Sequence, residues 1–296
     1  MKQKTIFQGV ATALITPFNE NGIDYEKFAE LIEWQIASGI NALVVAGTTG
    51  EASTLTDDEH RDLIAFAVKQ VNKRVPVIAG AGSNDTLYAL DLARCACEAG
   101  ADALLCVTPY YNKATQNGLI KMFTQIADFS SVPVILYNVP SRTGVNIEPS
   151  TYAILADHPN ICGIKEASGN ISKAVETMSL IGDKVDLYSG NDDQILPMLA
   201  LGGKGVISVL SNVVPEKTVE LCNRYFAGDI KGCAKLQYEM LPLINALFSE
   251  VNPIPVKAAM NAMGFCSDNI RLPLTVMEEK RKEILLAEMR KNGVNV

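Results

Sequence analysis

The sequence predicts a (β/α)8 barrel, a TIM barrel, with a C-terminal helical extension. Three observations predict it. Eight short apolar segments recur along the first two-thirds of the chain. Stretches of helical periodicity lie between them. After about residue 230 the strand-like segments stop and helical pattern alone continues.

The apolar segments fall at residues 10–15, 42–46, 75–79, 103–107, 133–137, 161–165, 185–189 and 205–208. Each has the length of a strand and β-branched character. Near-continuous apolar strands suit a parallel sheet buried on both faces. The first helix, at 24–38, carries Tyr25, Phe28, Leu31, Ile32 and Ile36 at helical spacing. Thr56-Asp-Asp-Glu59 is a capping box that opens the second helix, marked by Leu63, Ile64, Phe66, Ala67 and Val68. Residues 87–97, 119–129, 171–181 and 219–226 continue the alternation. Such units spanning about 220 residues match the barrel repeat. A doubly wound open sheet is the rival architecture, but no G-x-G-x-x-G fingerprint follows the first strand. The tail reads as helices at 232–248, 255–263 and 273–289, with no Gly/Ser-rich linker before them. The expected division is a catalytic barrel at 1–229 and a three-helix extension at 230–296. The extension should pack on the barrel and offer an oligomer contact.

Composition bounds the function classes. With 48% hydrophobic and 20% charged residues over 296 positions, the chain can bury a sizeable core. A formal net charge of -7 and scattered basic residues argue against nucleic-acid binding. No apolar run is long enough to span a bilayer, and no signal peptide is expected from the first residues. The 7 cysteines lie mostly in apolar runs, without a CxxC pair or zinc spacing. They read as reduced, buried thiols of a cytoplasmic protein with no metal centre. His60 and His158 stand outside the strand-end motifs, so acid–base chemistry must use other side chains. Tyrosine becomes the candidate.

In a TIM barrel the chemistry sits at the C-terminal ends of the strands. The sixth segment, Ile161-Cys-Gly-Ile-Lys165, ends in a lysine. A lysine in an apolar pocket tends to lose its proton, and the neutral amine attacks carbonyls. A snorkelling lysine on a strand edge is the blander alternative. The neighbouring strand ends weigh against it. The second segment runs into Gly47-Thr-Thr-Gly-Glu51, where hydroxyls and amides can cup a carboxylate. The fourth runs into Thr108-Pro-Tyr-Tyr-Asn112, whose adjacent tyrosines point to opposite sides of an extended chain. The fifth runs into Tyr137-Asn-Val-Pro-Ser-Arg-Thr-Gly144, a phenol for proton transfer and a guanidinium for a carboxylate. The seventh ends in Ser189-Gly-Asn-Asp192. A lysine, several hydroxyls and an arginine around one mouth suit an imine-forming lyase acting on a small oxo acid.

These motifs continue with Gly163-Ile-Lys-Glu-Ala167, Gly203-Lys-Gly-Val-Ile-Ser208 and Asn252-Pro-Ile-Pro-Val-Lys257. In this order they resemble the dihydrodipicolinate synthase family, one of the pyruvate-dependent class I aldolases alongside N-acetylneuraminate lyase. The resemblance runs over nearly the whole chain. It implies an enzyme of lysine and diaminopimelate biosynthesis that binds pyruvate as a Schiff base on Lys165. The derived enamine would attack the aldehyde of aspartate semialdehyde, and the adduct would cyclise to 4-hydroxy-tetrahydrodipicolinate. The resemblance implies Thr49, Tyr137 and Tyr111 as a hydroxyl relay, with Tyr111 lent by a neighbouring subunit. It gives Thr48 and Thr49 the pyruvate carboxylate and Arg142 the carboxylate of the semialdehyde. It puts the carbonyls of Gly190 and Ile207 near the substrate. Asn191 departs from the aspartate often found there. No cofactor beyond the imine is implied, and a homotetramer is. Arg142 favours a short acceptor bearing a carboxylate over a sugar. A 2-keto-3-deoxy sugar acid aldolase stays open as the alternative. A non-catalytic binding protein on this barrel should have lost the lysine or a relay hydroxyl, and this chain keeps them.

The same resemblance implies an allosteric lysine site at Ala52, Ser53, Asp57, His60, Asn84, Tyr88 and Tyr110. Here it reads as degenerate. Ala52 stands where a serine is usual, Asp57 replaces a histidine, and Tyr88 replaces a glutamate that would face the ligand's ammonium. Losing that charge-assisted bond predicts weak or absent inhibition by lysine. Asp57 argues the other way, since a new carboxylate can pair with an ammonium.

Overall fold

The computed structural model describes residues 5–296. Residues 1–4, where the signal-peptide reading begins, lie outside the described residues. β1 (Gly9–Ala13) leads into a small antiparallel hairpin of β2 (Phe18–Asn19) and β3 (Gly22–Ile23). Then follow β4 (Ala42–Val45), β5 (Val77–Gly80), β6 (Ala103–Val107) and β7 (Val134–Asn138). β8 (Ile161–Glu166), β9 (Asp186–Ser189) and β10 (Gly205–Ser208) complete the set. Without the hairpin, the strands close into one parallel barrel in the order β1-β10-β9-β8-β7-β6-β5-β4. The expected TIM barrel is the fold found.

Successive strand residues point to opposite faces, and both faces are buried here. Ala11, Val44, Ile78, Ile135 and Ile207 fill the barrel interior. Val10, Leu43, Ala79, Leu136 and Val206 pack outward under the helices. That double burial is why the strands read as unbroken apolar runs rather than alternating ones. Phe7 stacks on Tyr188 with ring centroids 4.3 Å apart, and the Tyr188 hydroxyl donates to the Phe7 carbonyl at 2.9 Å. The interior is a packed core, not a pore.

The helices start where their caps dictate. Asp24 accepts from the Lys27 amide to open the helix Tyr25–Ala37. Thr56 and Glu59 form the expected capping box of the helix Asp57–Val71. Three short helices escaped the sequence reading, Pro140–Thr143, Pro149–Leu155 and Ile195–Ala200. None is long enough to display a helical period.

The tail contains the helices Ile230–Leu247, Ile254–Ala262 and Glu279–Lys291. The third therefore begins at Glu279 and not at residue 273 as expected. The reason lies in Arg271. Its guanidinium grips Glu59 at 2.5 and 2.6 Å and lies 4.2 Å over the Phe18 ring. Its backbone amide donates to Glu51 at 3.0 Å. Arg271 thus ties the start of this segment to the barrel loops, and at its end the Glu278 amide donates to Glu250 at 3.0 Å instead of to a preceding helical turn. Pro273 adds a position without an amide donor.

Candidate active site

β8 is buried along its whole length, and Lys165 is 6% exposed. In the parallel register Tyr137 of β7 pairs with Lys165, so both side chains leave the sheet on the same side. The Lys165 Nζ stands 4.2 Å from the centre of the Tyr137 ring. Burial and the neighbouring Arg142 charge lower the Lys165 pKa, Asp192 raises it, and the result is about 7. At neutral pH a large share of this amine carries no proton, as a nucleophile requires. Gly190 stands close against it. A Cβ built there would lie 3.2 Å from Lys165 Cε and 2.6 Å from the Ala167 Cβ, so a side chain would displace the lysine.

Tyr137 is buried, and burial raises its pKa, against which Arg142 and the Thr48 hydroxyl work. The phenol therefore keeps its proton and can both give and take one. Its hydroxyl neighbour is Thr48. Thr49 is turned elsewhere: it is 3% exposed, and its Oγ1 accepts from Asn252 Nδ2 at 3.1 Å. The hydroxyl beside Tyr137 is thus that of Thr48 and not of Thr49, the residue expected in the relay. Adjacent residues of a tight turn point apart, and the sequence could not choose between two threonines.

Arg142 lies in the short helix Pro140–Thr143 after β7. Its Nη2 donates to the Asn252 carbonyl at 3.0 Å. Asn252 therefore touches both Thr49 and Arg142, a role that the tail motif marked only as a match. Ile207 sits in the buried β10. The Asn191 amide donates to the Ser189 hydroxyl oxygen at 3.2 Å, and that hydroxyl donates to the Asn191 carbonyl at 2.8 Å.

A cavity of about 340 Å³ is lined by Thr48, Tyr137 and Arg142. Ala52, Ser53, His60, Tyr88 and Tyr110 line it as well. The two sets read separately from the sequence meet in one space. His60 is buried and its Nε2 donates to the Gly80 carbonyl at 2.7 Å. Burial lowers its pKa, so it is neutral. The Tyr88 hydroxyl donates to Asp57 at 2.7 Å. One oxygen of Asp57 is therefore taken by this phenol. Asn84 offers its carbonyl to the Asn112 side chain at 2.8 Å. Tyr111 departs from this group: it is 90% exposed, in a left-handed conformation with φ of 72°.

A further buried cluster supports the Gly47–Glu51 turn. Glu51 meets Lys257 at 3.0 Å, and the Lys257 Nζ also donates to the Thr16 carbonyl at 2.8 Å. The sequence signal was available. The helix Ile254–Ala262 is apolar around Lys257, and a buried ammonium needs a partner.

The comparisons with known proteins agree with this geometry. The model of the dihydrodipicolinate synthetase family matches residues 6–291. The 4-hydroxy-tetrahydrodipicolinate synthase of Acetivibrio thermocellus is 54% identical over 292 residues, covering 99% of each chain. The solved structure of a monomeric dihydrodipicolinate synthase variant superposes with a TM-score of 0.96 at 44% identity, covering 98% of each chain. The chloride-inhibited dihydrodipicolinate synthase from Acinetobacter baumannii complexed with pyruvate gives a TM-score of 0.96 at 42% identity, covering 98% of this chain and 100% of that one. On sequence, fold and strand-end motifs together, the chain belongs to the dihydrodipicolinate synthetase family.

Proposed function

We infer that the chain is a Schiff-base lyase of lysine and diaminopimelate biosynthesis. It condenses pyruvate with L-aspartate 4-semialdehyde to 4-hydroxy-tetrahydrodipicolinate. The observation that carries this reading is Lys165, a buried lysine with a pKa of about 7 beside a buried phenol, in a chain of this family. The neutral amine adds to the pyruvate carbonyl, and loss of water leaves an imine that serves as the electron sink. The lysine itself supplies the chemistry, and no metal or organic cofactor is needed. Tyr137 and Thr48 move the protons. The turn at Thr48 and Thr49 receives the pyruvate carboxylate. Arg142, held by the Asn252 carbonyl, receives the carboxylate of the semialdehyde, for which a planar fork is suited. The carbonyls of Gly190 and Ile207 face the bound substrate.

The side chain of Tyr111 points to solvent, so it serves a mouth other than its own. The active unit is then at least a dimer, and a tetramer built as a dimer of dimers fits the family. Sedimentation under assay conditions tests it, and a fully active monomer would overturn it. No helix among the described residues is long and apolar enough to cross a membrane. All seven cysteines are free thiols, which supports a cytoplasmic enzyme.

The test is borohydride trapping with pyruvate, followed by peptide mapping. The adduct is expected on Lys165, and Lys165→Ala should lose both adduct and turnover. An adduct on Lys204 or Lys257 would overturn the assignment. Aspartate semialdehyde should outcompete glyceraldehyde as acceptor. The reverse preference would favour a sugar-acid aldolase.

A further inference from the structure

We propose that the Asp192 carboxylate is the counter-charge of the cation carried by Lys165, first as ammonium and then as iminium. It acts through Lys165 and does not touch substrate, so it is a positioning residue. The proposal rests on the imine inferred above.

Asp192 follows β9 by three residues and is 2% exposed. Its Oδ2 accepts the backbone amides of Val209 and Leu210 at 3.0 and 2.9 Å, just beyond β10. Its own carbonyl accepts from Gln237 Nε2 at 2.9 Å. The carboxylate is thus pinned between two strand ends and the helix Ile230–Leu247. Its Oδ1 is buried and makes no aligned hydrogen bond. Two residues earlier, Gly190 passes so near Lys165 that a Cβ there would stand 3.2 Å from the lysine Cε. A buried carboxylate oxygen without an aligned donor is costly unless a positive charge lies within electrostatic reach.

The charged and titratable groups around the pair are few. Lys165 lies over the Tyr137 ring of β7, within electrostatic reach of Arg142 from the short helix after β7 and of Asp192 beyond β9. Asp192 faces Lys165, the Ser208 hydroxyl and the Cys222 thiol of the helix Pro215–Phe226. Burial raises the Asp192 pKa, while Ser208, the two amides and Lys165 favour its anion. Burial and the nearby carboxylate keep Cys222 a neutral thiol.

The proton balance fixes what such a counter-charge does. An ammonium and an oxo acid give an iminium and one water, and the nitrogen carries one positive charge before and after. Between these states it must be a neutral amine. Burial and Arg142 favour the neutral amine, and Asp192 favours both cationic forms. Removing the Asp192 charge should therefore lower the Lys165 pKa and weaken the iminium together.

Asp192→Asn tests this, because the amide oxygen can still accept the Val209 and Leu210 bonds. The acid limb of kcat/KM for pyruvate should move down by about one pH unit. Borohydride trapping at subsaturating pyruvate should fall about tenfold at pH 8.5 and change little at pH 6. An acid limb that stays put, or a loss equal at both pH values, would overturn the proposal. If the variant does not fold, wild-type enzyme carrying carbon-13 in its aspartate carboxyls gives a second reading. The infrared difference spectrum on pyruvate addition should show a shifted carboxylate band. Unmoved bands would overturn the proposal. Wild-type enzyme that traps no pyruvate on Lys165 would instead remove the imine reading itself.

Discussion

Glu51 and Lys257 face each other at 3.0 Å with both side chains 2% exposed. Glu51 closes the Gly47–Glu51 turn, which holds Thr48 in the cavity, and Lys257 comes from the tail. Removing one member of such a pair leaves a buried charge alone, at about 3–5 kcal/mol. Lys257→Met should lose that much in urea unfolding. The double variant Glu51→Gln, Lys257→Met should recover part of it, since the amide can still accept from the Arg271 backbone. Single variants within about 0.5 kcal/mol of wild type, the range of an ordinary surface change, would refute the role.

Lys165 carries a stability cost with a defined sign. Its folded pKa of about 7 lies below the ordinary lysine value of 10.5. The folded state disfavours the charge, so the cost is fully present below pH 7 and vanishes as pH rises to about 10.5. Lys165→Met should therefore stabilise the protein by a few kcal/mol at pH 6, and by little at pH 10.5. Thermal unfolding at the two values checks it. An equal gain at both would mean that packing, not charge, is responsible.

Thr48 and Thr49 should separate cleanly. Thr48→Val removes the hydroxyl beside Tyr137 and should cost kcat about 10²-fold or more, as loss of a proton-transfer group does. Thr49→Val leaves the Asn252 amide unpaired, so it should cost about 1–3 kcal/mol of stability and far less in kcat. Steady-state kinetics beside thermal melts decide between them. A larger kcat loss from Thr49→Val would restore the relay as first read.

The Tyr88 hydroxyl takes one oxygen of Asp57, which leaves the carboxylate less free to meet a lysine ammonium. Lysine titrated into the coupled assay should leave activity intact at sub-millimolar concentration. Tyr88→Glu should increase any response, because it restores a carboxylate to the cavity. Half-inhibition of the wild type below 1 mM, a binding free energy of about -4 kcal/mol or tighter, would show that the site tolerates these changes.

The barrel was legible because each of its strands is buried on both faces, and apolar runs of that length admit few architectures. The Lys165, Tyr137 and Arg142 positions were legible for a related reason: each stands at or just past the end of such a run. What the sequence did not yield depends on direction or distance. Which threonine turns toward Tyr137 is decided within one tight turn. The helix expected from residue 273 starts instead at Glu279, after a stretch tied by the Arg271–Glu59 ion pair across 212 positions and by the Glu278 amide on Glu250. Asn252 and Lys257 reach the site only through tertiary contacts, and no local pattern announces what they touch.

Asn252 reaches back 203 positions to Thr49 and 110 to Arg142. Synthesis runs from the N-terminus, so Lys165, Tyr137 and Arg142 leave the ribosome well before the residue that steadies two walls of their pocket. A growing chain thus carries every reacting group without the brace that aligns them. The enzyme gains its full competence late in its own manufacture, and a chain stalled before Asn252 should be a poor catalyst even where its barrel has closed.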